Sequence, residues 1–397
     1  MRADIITRLG LVIIAPCLAV TVAGIESCDM GTELAASNDL VLKNGVLIDG
    51  TGAGPLGNAV VVIEHGTITQ VGRAGDVDIP LRLPQIDLAG KTILPGFINA
   101  HVHQGFDKDN LRAWARSGVT TVRDLCGPSS FRLRDEYAQD LALARLVAAG
   151  PMVSVPGGYP LVPWGSPHML PVSSPDEARR TVRQLLTDGA DFVKMAVESG
   201  ESFGRVIPTL SPAEASAIVE TAHDRATVVS AHVLVTEDLQ RALSAGADDI
   251  AHMVCDTPPD SVLQQMVARS IYWVPTIELW EKVGHGLADQ AIANLRRFVS
   301  AGGMVALGTD YAGYDRPFEL GMPISELEWM LEAGMTPMQV IVAGTKNAAR
   351  VCNRESELGT LQPGKIADVL VVGGDPLHDI RALLNVHMVI HKGARIR

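Results

Sequence analysis

Two histidines separated by one residue, His101 and His103, end an apolar run that begins at Thr92. Residues two apart on a β-strand point to the same side, so both imidazoles can reach one metal ion. Further residues of ligand type end later apolar runs, namely Lys194, His232, His252 and Asp310. The pattern predicts a metal centre assembled from the ends of several strands.

These side chains can meet only if the ends of the strands meet. Eight short apolar runs end near His103, Asp124, Val155, Met195, His232, His252, Thr276 and Thr309. The amphipathic stretches 174–187 and 211–224 lie between them, and each begins with a Ser three residues before a Glu, which is typical of a helix N-cap. Eight strand–helix units over about 250 residues predict a (β/α)8 TIM barrel, in which functional residues lie at the C-terminal ends of the strands.

Both ends of the chain have a different pattern. Residues 39–93 contain short β runs separated by Gly, Asn and Asp, and a predicted helix over 335–351 is followed by β patterning in 364–372 and 386–396. The sequence therefore predicts an α/β protein with two domains. The barrel takes residues 94–351, and a small β-sandwich is built from residues 39–93 plus 352–397.

The first residues resemble a secretory signal peptide. Arg2 and Arg8 precede an uncharged stretch over 9–25, and small residues follow at Ala23 and Gly24. We therefore expect residues 1–29 to be a signal peptide and the protein to be secreted or periplasmic. The alternative is a cytoplasmic protein whose start codon is mis-assigned and whose true start lies near Met30. Asp4 and the lack of a clear A-x-A cleavage site favour that alternative.

Composition restricts the partners. The chain has 397 residues, is 47% hydrophobic and carries a formal net charge of −12, which is typical of a globular protein with a large core. The acidic balance and the lack of a basic run argue against a nucleic acid. We expect a small-molecule substrate, and the composition leaves open whether the protein forms a homo-oligomer.

Seven segments carry a resemblance to a known family. They are 95–103 (PGFINAHVH), 189–194 (GADFVK), 230–232 (SAH), 250–252 (IAH), 307–310 (LGTD), 344–350 (GTKNAAR) and 359–368 (GTLQPGKIAD). On these segments the chain resembles the amidohydrolase superfamily. Within it, the chain is similar to the branch of imidazolonepropionases and Xaa-Pro dipeptidases, or prolidases. The resemblance covers roughly residues 39–397.

The resemblance implies a centre with two divalent metal ions, expected to be Zn²⁺. His101 and His103 would bind one ion, and His232 and His252 the other. Asp310 would be both a metal ligand and the catalytic proton acceptor. A protonated Lys194 would repel a dication. In the binuclear members that this chain resembles, this lysine is carboxylated by CO2, and its carbamate bridges the two metals.

The predicted function is hydrolysis of an amide or peptide-like C–N bond of a small molecule by a metal-bound hydroxide. One alternative is a cyclic amide or lactone hydrolase, with ring opening like that of an imidazolonepropionase. Another is a non-catalytic binding protein that kept the barrel.

Loops after the strands are expected to select the substrate. The candidate substrate-binding residues are Tyr159, His168, Arg205 and Tyr311. Two positions depart from the prolidase-like pattern. Tyr159 replaces a frequent His, and Leu234 replaces a frequent Tyr two residues after His232.

The signal-peptide interpretation predicts that cells remove the N-terminus before about Met30. Mass spectrometry of the natively expressed protein should then find a chain lacking roughly its first 29 residues. Recovery of the intact chain, residues 1–397, from the cytoplasm would contradict export.

Overall fold

The computed structural model describes residues 38–127, 131–166 and 168–397. The predicted signal peptide, residues 1–29, lies outside the described residues. Across the described ranges, no helix combines the length and the apolar character that crossing a membrane requires.

Eighteen strands run through the described part of the chain. In order they are β1 Leu40–Leu47, β2 Leu56–Glu64, β3 Thr67–Arg73, β4 Gln85–Asp87, β5 Thr92–Pro95, β6 Phe97–Val102, β7 Val119–Asp124, β8 Arg145–Ala148, β9 Met152–Ser154, β10 Met169–Pro171, β11 Val193–Ala196, β12 Val229–His232, β13 Asp249–Ala251, β14 Tyr272–Val274, β15 Met304–Val305, β16 Val369–Val372, β17 Val386–His391 and β18 Ala394–Arg395.

Helices fill most of the connections between the later strands. The α-helices are α1 Lys108–Ser117, α2 Phe131–Tyr137, α3 Leu161–Trp164, α4 Pro175–Thr187, α5 Pro212–His223, α6 Thr236–Ala245, α7 Asp260–Ala268, α8 Ile277–Val283, α9 Leu287–Ser300, α10 Ile324–Glu332, α11 Pro337–Val342 and α12 Ala348–Val351. A π-helical turn, Ala343–Asn347, joins α11 to α12, and 3-10 helices span Glu201–Phe203 and Ile380–Leu384.

Strands from both ends of the chain share one mixed sheet. Its order is β18-β17-β16-β5-β1-β2-β3, with β4 beside β1. Leu94 of β5 is paired antiparallel with Leu370 of β16, which joins the two ends of the sequence. Side chains alternate across β2, and both of its faces are buried: Val61 and Ile63 pack on one side, and Val60 and Val62 on the other. The assignment of these strands to a separate β-sandwich domain stays a prediction.

The middle of the chain forms parallel ladders. One sheet has the order β6-β7-β8, and the other has the order β10-β9-β11-β12-β13-β14-β15. Only three residues separate β8 from β9, so one chain segment pairs with β7 and then with β11. Backbone hydrogen bonds also connect the segment after β15 to β6: Ala100 N donates to Leu307 O at 2.8 Å, and Thr309 N donates to His101 O at 3.2 Å. The segment after β15 therefore runs alongside β6.

Serine N-caps begin two helices, as the sequence predicted. The Ser174 side chain accepts from the Glu177 backbone N–H at the start of α4. At the start of α5, Ser211 and Glu214 form a complete capping box. These caps satisfy backbone donors that a helix leaves unpaired, so local sequence fixes where both helices begin.

Seven of the eight predicted strand ends lie within two residues of the observed ends. The assigned strands end at the predicted residue for β7 and β12, and β15 ends at Val305 rather than near Thr309. After Val305, the segment leaves regular strand geometry and reaches a left-handed conformation at Asp310, where φ is 61°.

A buried ion pair links several of these strands. The Arg123 guanidinium donates to both carboxylate oxygens of Asp249, at 2.9 and 2.8 Å, and both side chains are fully buried. Arg123 Nε also donates to Ala100 O at 2.7 Å, and Ser230 Oγ donates to Asp249 at 2.7 Å. The pair therefore connects β6, β7, β12 and β13.

Removing one member of this pair should destabilise the protein strongly. Asp249→Ala would leave Arg123 buried without its counter-charge, which typically costs about 3–5 kcal/mol. Urea denaturation monitored by circular dichroism would measure the loss. The control is Asp109→Ala, which removes an exposed ion pair with Arg112 and should cost less than about 1 kcal/mol. Equal stability of the two variants would contradict a clamping role for Arg123 and Asp249.

Candidate active site

His101, His103 and Asp310 come together because β6 is hydrogen-bonded to the segment after β15. Asp310 N donates to His101 O at 2.9 Å, and His103 N donates to Tyr311 O at 2.8 Å. A Cβ at Gly313 would lie 2.2 Å from a carboxylate oxygen of Asp310, so only glycine fits there.

One carboxylate oxygen contacts both histidines. Asp310 Oδ1 lies 2.9 Å from His101 Nε2 and 3.0 Å from His103 Nε2. Below this contact, Asn99 Nδ2 donates to Thr309 Oγ1 at 2.9 Å and further joins the two segments. His101 and Asp310 are buried, whereas His103 keeps part of its surface open to the pocket.

The remaining ligand candidates lie on β11, on β12 and directly after β13. Pairing places Ala196 beside His232, so Lys194 and His232 stand near each other on adjacent strands. His252 follows β13 in a left-handed conformation with φ of 72°. Its Nδ1 lies 2.9 Å from Thr276 Oγ1, a contact that fixes the ring orientation.

The histidine rings converge. The centroid of the His252 ring lies 4.7 Å from that of His101 and 4.9 Å from that of His232. His101, His252 and Asp310 each offer one ligand atom, and these three atoms lie within 4.8 Å of one another. Such spacing allows a single cation to contact all three groups.

Burial keeps most of the imidazoles neutral. It lowers the pKa of His101 to about 3 even though Asp310 opposes the shift. Burial also lowers the pKa of His232, and it places the pKa of His252 well below the ordinary value. A neutral imidazole keeps a nitrogen lone pair, which is the form that binds a metal.

His103 and Asp310 form a more polar pair. Burial lowers the pKa of His103, but the hydrogen bond and charge of Asp310 outweigh burial, so the net pKa is raised. Burial raises the pKa of Asp310, but the charges and hydrogen bonds of the histidines outweigh it and hold that pKa well below its usual value. Asp310 is therefore an anion at neutral pH.

Lys194 is 1% exposed, and burial lowers its pKa to about 7. Among the described residues, three buried nitrogens here have no hydrogen-bond partner: Lys194 Nζ, His101 Nδ1 and His232 Nε2. Buried polar atoms normally find partners, so this set of donor atoms requires another species. Neutral imidazoles and a carboxylate are ligands that Zn²⁺ prefers, so these residues fit a divalent metal.

Known proteins share this sequence pattern. The profile of the amidohydrolase family matches residues 92–396. The chain belongs to the amidohydrolase family. It is accordingly a hydrolase that acts on carbon–nitrogen bonds, and its superfamily fold is a TIM barrel with α/β content. The resemblance inferred from the sequence motifs is thereby confirmed.

Individual relatives support the same conclusion. Ochratoxinase of Aspergillus niger is 28% identical over 90% of this chain and 86% of its own length. Imidazolonepropionase of Bdellovibrio bacteriovorus is 26% identical over 81% of this chain and 84% of its own. The crystal structure of a Xaa-Pro dipeptidase with bound methionine is 28% identical, with a TM-score of 0.78 over 90% of this chain and 99% of the other.

Two of the four candidate substrate-binding residues of this amidohydrolase border a cavity at the site, and two do not. A cavity of about 320 Å³ opens above the ligand candidates and is bordered by Tyr159 and His168. The Tyr159 ring stacks on the His232 ring with centroids 3.9 Å apart. His168 is exposed at the cavity wall, and its carbonyl accepts from Cys126 Sγ at 3.0 Å.

Tyr311 and Arg205 do not border this cavity. The Tyr311 ring packs on Trp114 with centroids 5.0 Å apart, and its hydroxyl donates to Asn110 at 3.3 Å. Arg205 is exposed, because the loop turns through left-handed glycines at Gly200 and Gly204. Neither residue is positioned to hold a substrate carboxylate beside the ligand candidates.

Glu198, which was not among the residues predicted for the site, lies beside His232. Glu198 is 1% exposed, and its Oε2 lies 3.6 Å from His232 Nε2 without a hydrogen-bond partner among the described residues. Its Oε1 accepts from Gly200 N at 2.7 Å and from Ser202 Oγ at 3.3 Å. Its signal in the sequence is a carboxylate that directly follows the apolar run Met195–Val197.

Glu198→Gln should stabilise the metal-free protein. The amide keeps an oxygen for the Gly200 N–H and removes a buried charge that has an unsatisfied oxygen, a change worth roughly 1–3 kcal/mol. Urea denaturation in the presence of a chelator would measure it. The control is Glu201→Gln, an exposed position in the same loop, which should leave stability unchanged. A clear loss of stability in Glu198→Gln alone would mean that the Glu198 charge is satisfied by the protein.

Proposed function

We propose that this amidohydrolase uses two divalent metal ions, expected to be Zn²⁺, to hydrolyse an amide bond of a small molecule. The residues that would hold the ions are His101, His103, Lys194, His232, His252 and Asp310. The observation that carries the proposal is the mutual approach of buried ligand atoms of His101, His252 and Asp310 within 4.8 Å. The unpartnered nitrogens of Lys194 and His232 on the same wall support a second ion.

The chemistry needs one water and one proton relay. A bound divalent ion would activate the water and polarise the substrate carbonyl. Asp310 is positioned to take a proton from the attacking water, since its carboxylate is anionic and lies among the ligand residues. Returning this proton to the leaving nitrogen releases an amine, and the water oxygen stays on the carboxylic acid.

Lys194 is proposed to carry a carbamate. The attack of its Nζ on CO2 requires a neutral amine, and a pKa of about 7 leaves a large neutral fraction at physiological pH. The ammonium first loses one proton to become the neutral amine. The amine then forms an N–C bond with CO2 and releases a second proton, so that a cationic side chain becomes an anionic carbamate. That anion would complement two dications, where an ammonium would repel them.

The same proposal extends to the architecture. We infer that β6–β9 and β11–β15 form one closed (β/α)8 barrel, supported by the hydrogen bond from Ala100 N to Leu307 O and by the bond from Thr309 N to His101 O. We also infer that the mixed sheet is a small β-sandwich domain, supported by its own buried clusters. Export remains part of the proposal, and the uncharged stretch over 9–25 is its support.

The variant Asp310→Asn tests the role of Asp310 in proton transfer separately from its role in metal binding. The amide keeps the size of the side chain but cannot accept the proton, so kcat should fall by roughly 10² to 10⁴ with metal still bound. Steady-state kinetics on a hydrolysable amide, together with metal analysis of the same sample, would test this. Asp315→Asn, an exposed carboxylate in the same loop, is the control. Full activity in Asp310→Asn would rule out the base assigned here.

Lys194→Ala should instead lose metal together with activity, because it removes the proposed bridge. Short carboxylic acids such as formate should restore part of the metal binding by supplying carboxylate oxygens. Lys108→Ala, at a half-exposed surface lysine, is the control. A fully active Lys194→Ala with its metal retained would make Lys194 an ordinary strand-end lysine.

A further inference from the structure

A second cavity opens beside the ligand candidates, and its character differs from that of the first. Its volume is about 180 Å³, and it is bordered by His232, His252 and Asp310 on one side. The two cavities share Tyr159 and Trp164 as a common border. The rest of the second cavity is mostly apolar and includes Phe203, Leu234, Leu279, Trp280, Val283 and Leu287. We call this second cavity the apolar compartment.

Aromatic rings form one wall of the apolar compartment. Trp164 meets Phe203 and Tyr314 edge-on, with centroid distances of 5.9 and 6.1 Å. Tyr159 lies nearly parallel to Phe203 at 6.4 Å. Trp164 is nevertheless 52% exposed, which is unusual for so large an apolar side chain. Another ring could join this cluster in edge-to-face or offset geometry.

Charge restricts what can enter. Among the described residues that border the apolar compartment there is no Lys or Arg, and the carboxylate present is that of Asp310. A substrate carboxylate placed here would be desolvated without a cationic partner from the protein walls, which is strongly unfavourable. The protein walls of the apolar compartment therefore favour an uncharged occupant.

Size restricts the occupant further. An apolar protein cavity of about 150 Å³ can hold one benzene molecule. The 180 Å³ of the apolar compartment is thus sufficient for one six-membered aromatic ring. The larger cavity, bordered by Gln104, Ser166 and His168, offers polar groups to the remainder of a substrate.

We propose that the substrates of this enzyme carry a single uncharged aromatic ring next to the scissile amide bond, seated in the apolar compartment. This inference rests on the proposed amide hydrolysis. Leu234 has a defined part in it. It is 5% exposed and borders the compartment two residues after the ligand candidate His232, so it supplies apolar surface close to the reacting bond.

Kinetics on matched amides provide the first test. N-methylphenylacetamide or N-benzylacetamide should exceed N-methylpropanamide in kcat/KM by at least roughly 10-fold, because a single methylene group in an apolar pocket already changes kcat/KM by roughly 10- to 200-fold. N-methylsuccinamate, with a carboxylate in place of the ring, should be the poorest substrate. Leu287→Trp, which fills the compartment, should bring the aromatic preference close to unity. Leu384→Trp, at an exposed leucine in the 3-10 helix Ile380–Leu384, should keep it. A preference for the succinamate, or an aromatic preference unaffected by Leu287→Trp, would overturn the inference.

Binding measured without turnover separates the two proposals. Saturation-transfer NMR with benzyl alcohol on the full, metal-loaded chain should detect binding that Leu287→Trp abolishes and Leu384→Trp preserves. Amide hydrolysis without benzyl alcohol binding would overturn the aromatic assignment and leave the proposed function standing. Binding to the wild type but not to Leu287→Trp, without hydrolysis of any amide, would support the compartment and contradict the proposed function.

Discussion

The buried ion pair between Arg123 and Asp249 supports the site from below. Arg123 Nε donates to the carbonyl oxygen of Ala100, the residue before His101. The hydroxyl of Ser230, two residues before His232, donates to Asp249. Asp249 itself lies three residues before His252. One interaction thus fixes the spacing of the strands that present three of the ligand candidates. Both side chains are fully buried, so displacing either one would leave the other charge unpaired in the protein interior.

Burial of the ligand candidates leaves several of their polar atoms without a partner in the protein. The protein keeps imidazole nitrogens neutral and leaves Lys194, His101 and His232 with unpartnered atoms. Such an arrangement is unfavourable in an isolated protein, and it becomes favourable when cations bind to the same atoms. Left-handed backbone at His252 and Asp310 adds strain at the same place, as is common where function outweighs local stability.

Sequence alone predicted the family and the ligand candidates because their signals are local. A histidine at the end of an apolar run is visible without knowledge of the fold, and so is a Ser–Glu cap such as Ser211 with Glu214. The predicted strand near Thr309 was less accurate, because its path depends on hydrogen bonds to β6, more than 200 residues earlier. His391 stands outside these motifs, and nothing in its local sequence predicts that it is fully buried at the end of β17, where its Nδ1 lies 3.1 Å from Leu141 O.

Contacts between distant loops were the least predictable feature. Arg205 was a candidate substrate-binding residue, yet the glycine turns place Phe203 at the apolar compartment and leave Arg205 in solvent. The apolar compartment combines residues from six separate segments of the chain, so no single sequence motif predicts it. The place of Glu198 in the site was likewise not predictable, because it depends on the position of His232 on the neighbouring strand.

The central claim is that these buried residues form a two-metal centre. Elemental analysis by inductively coupled plasma mass spectrometry tests it most directly, on full-length protein grown with Zn²⁺ and bicarbonate and then freed of loosely bound metal. A two-metal centre predicts two divalent ions per chain. At most one ion per chain under these conditions would contradict it, and the chemistry would then have to be rebuilt on a single metal held by His101, His103 and Asp310.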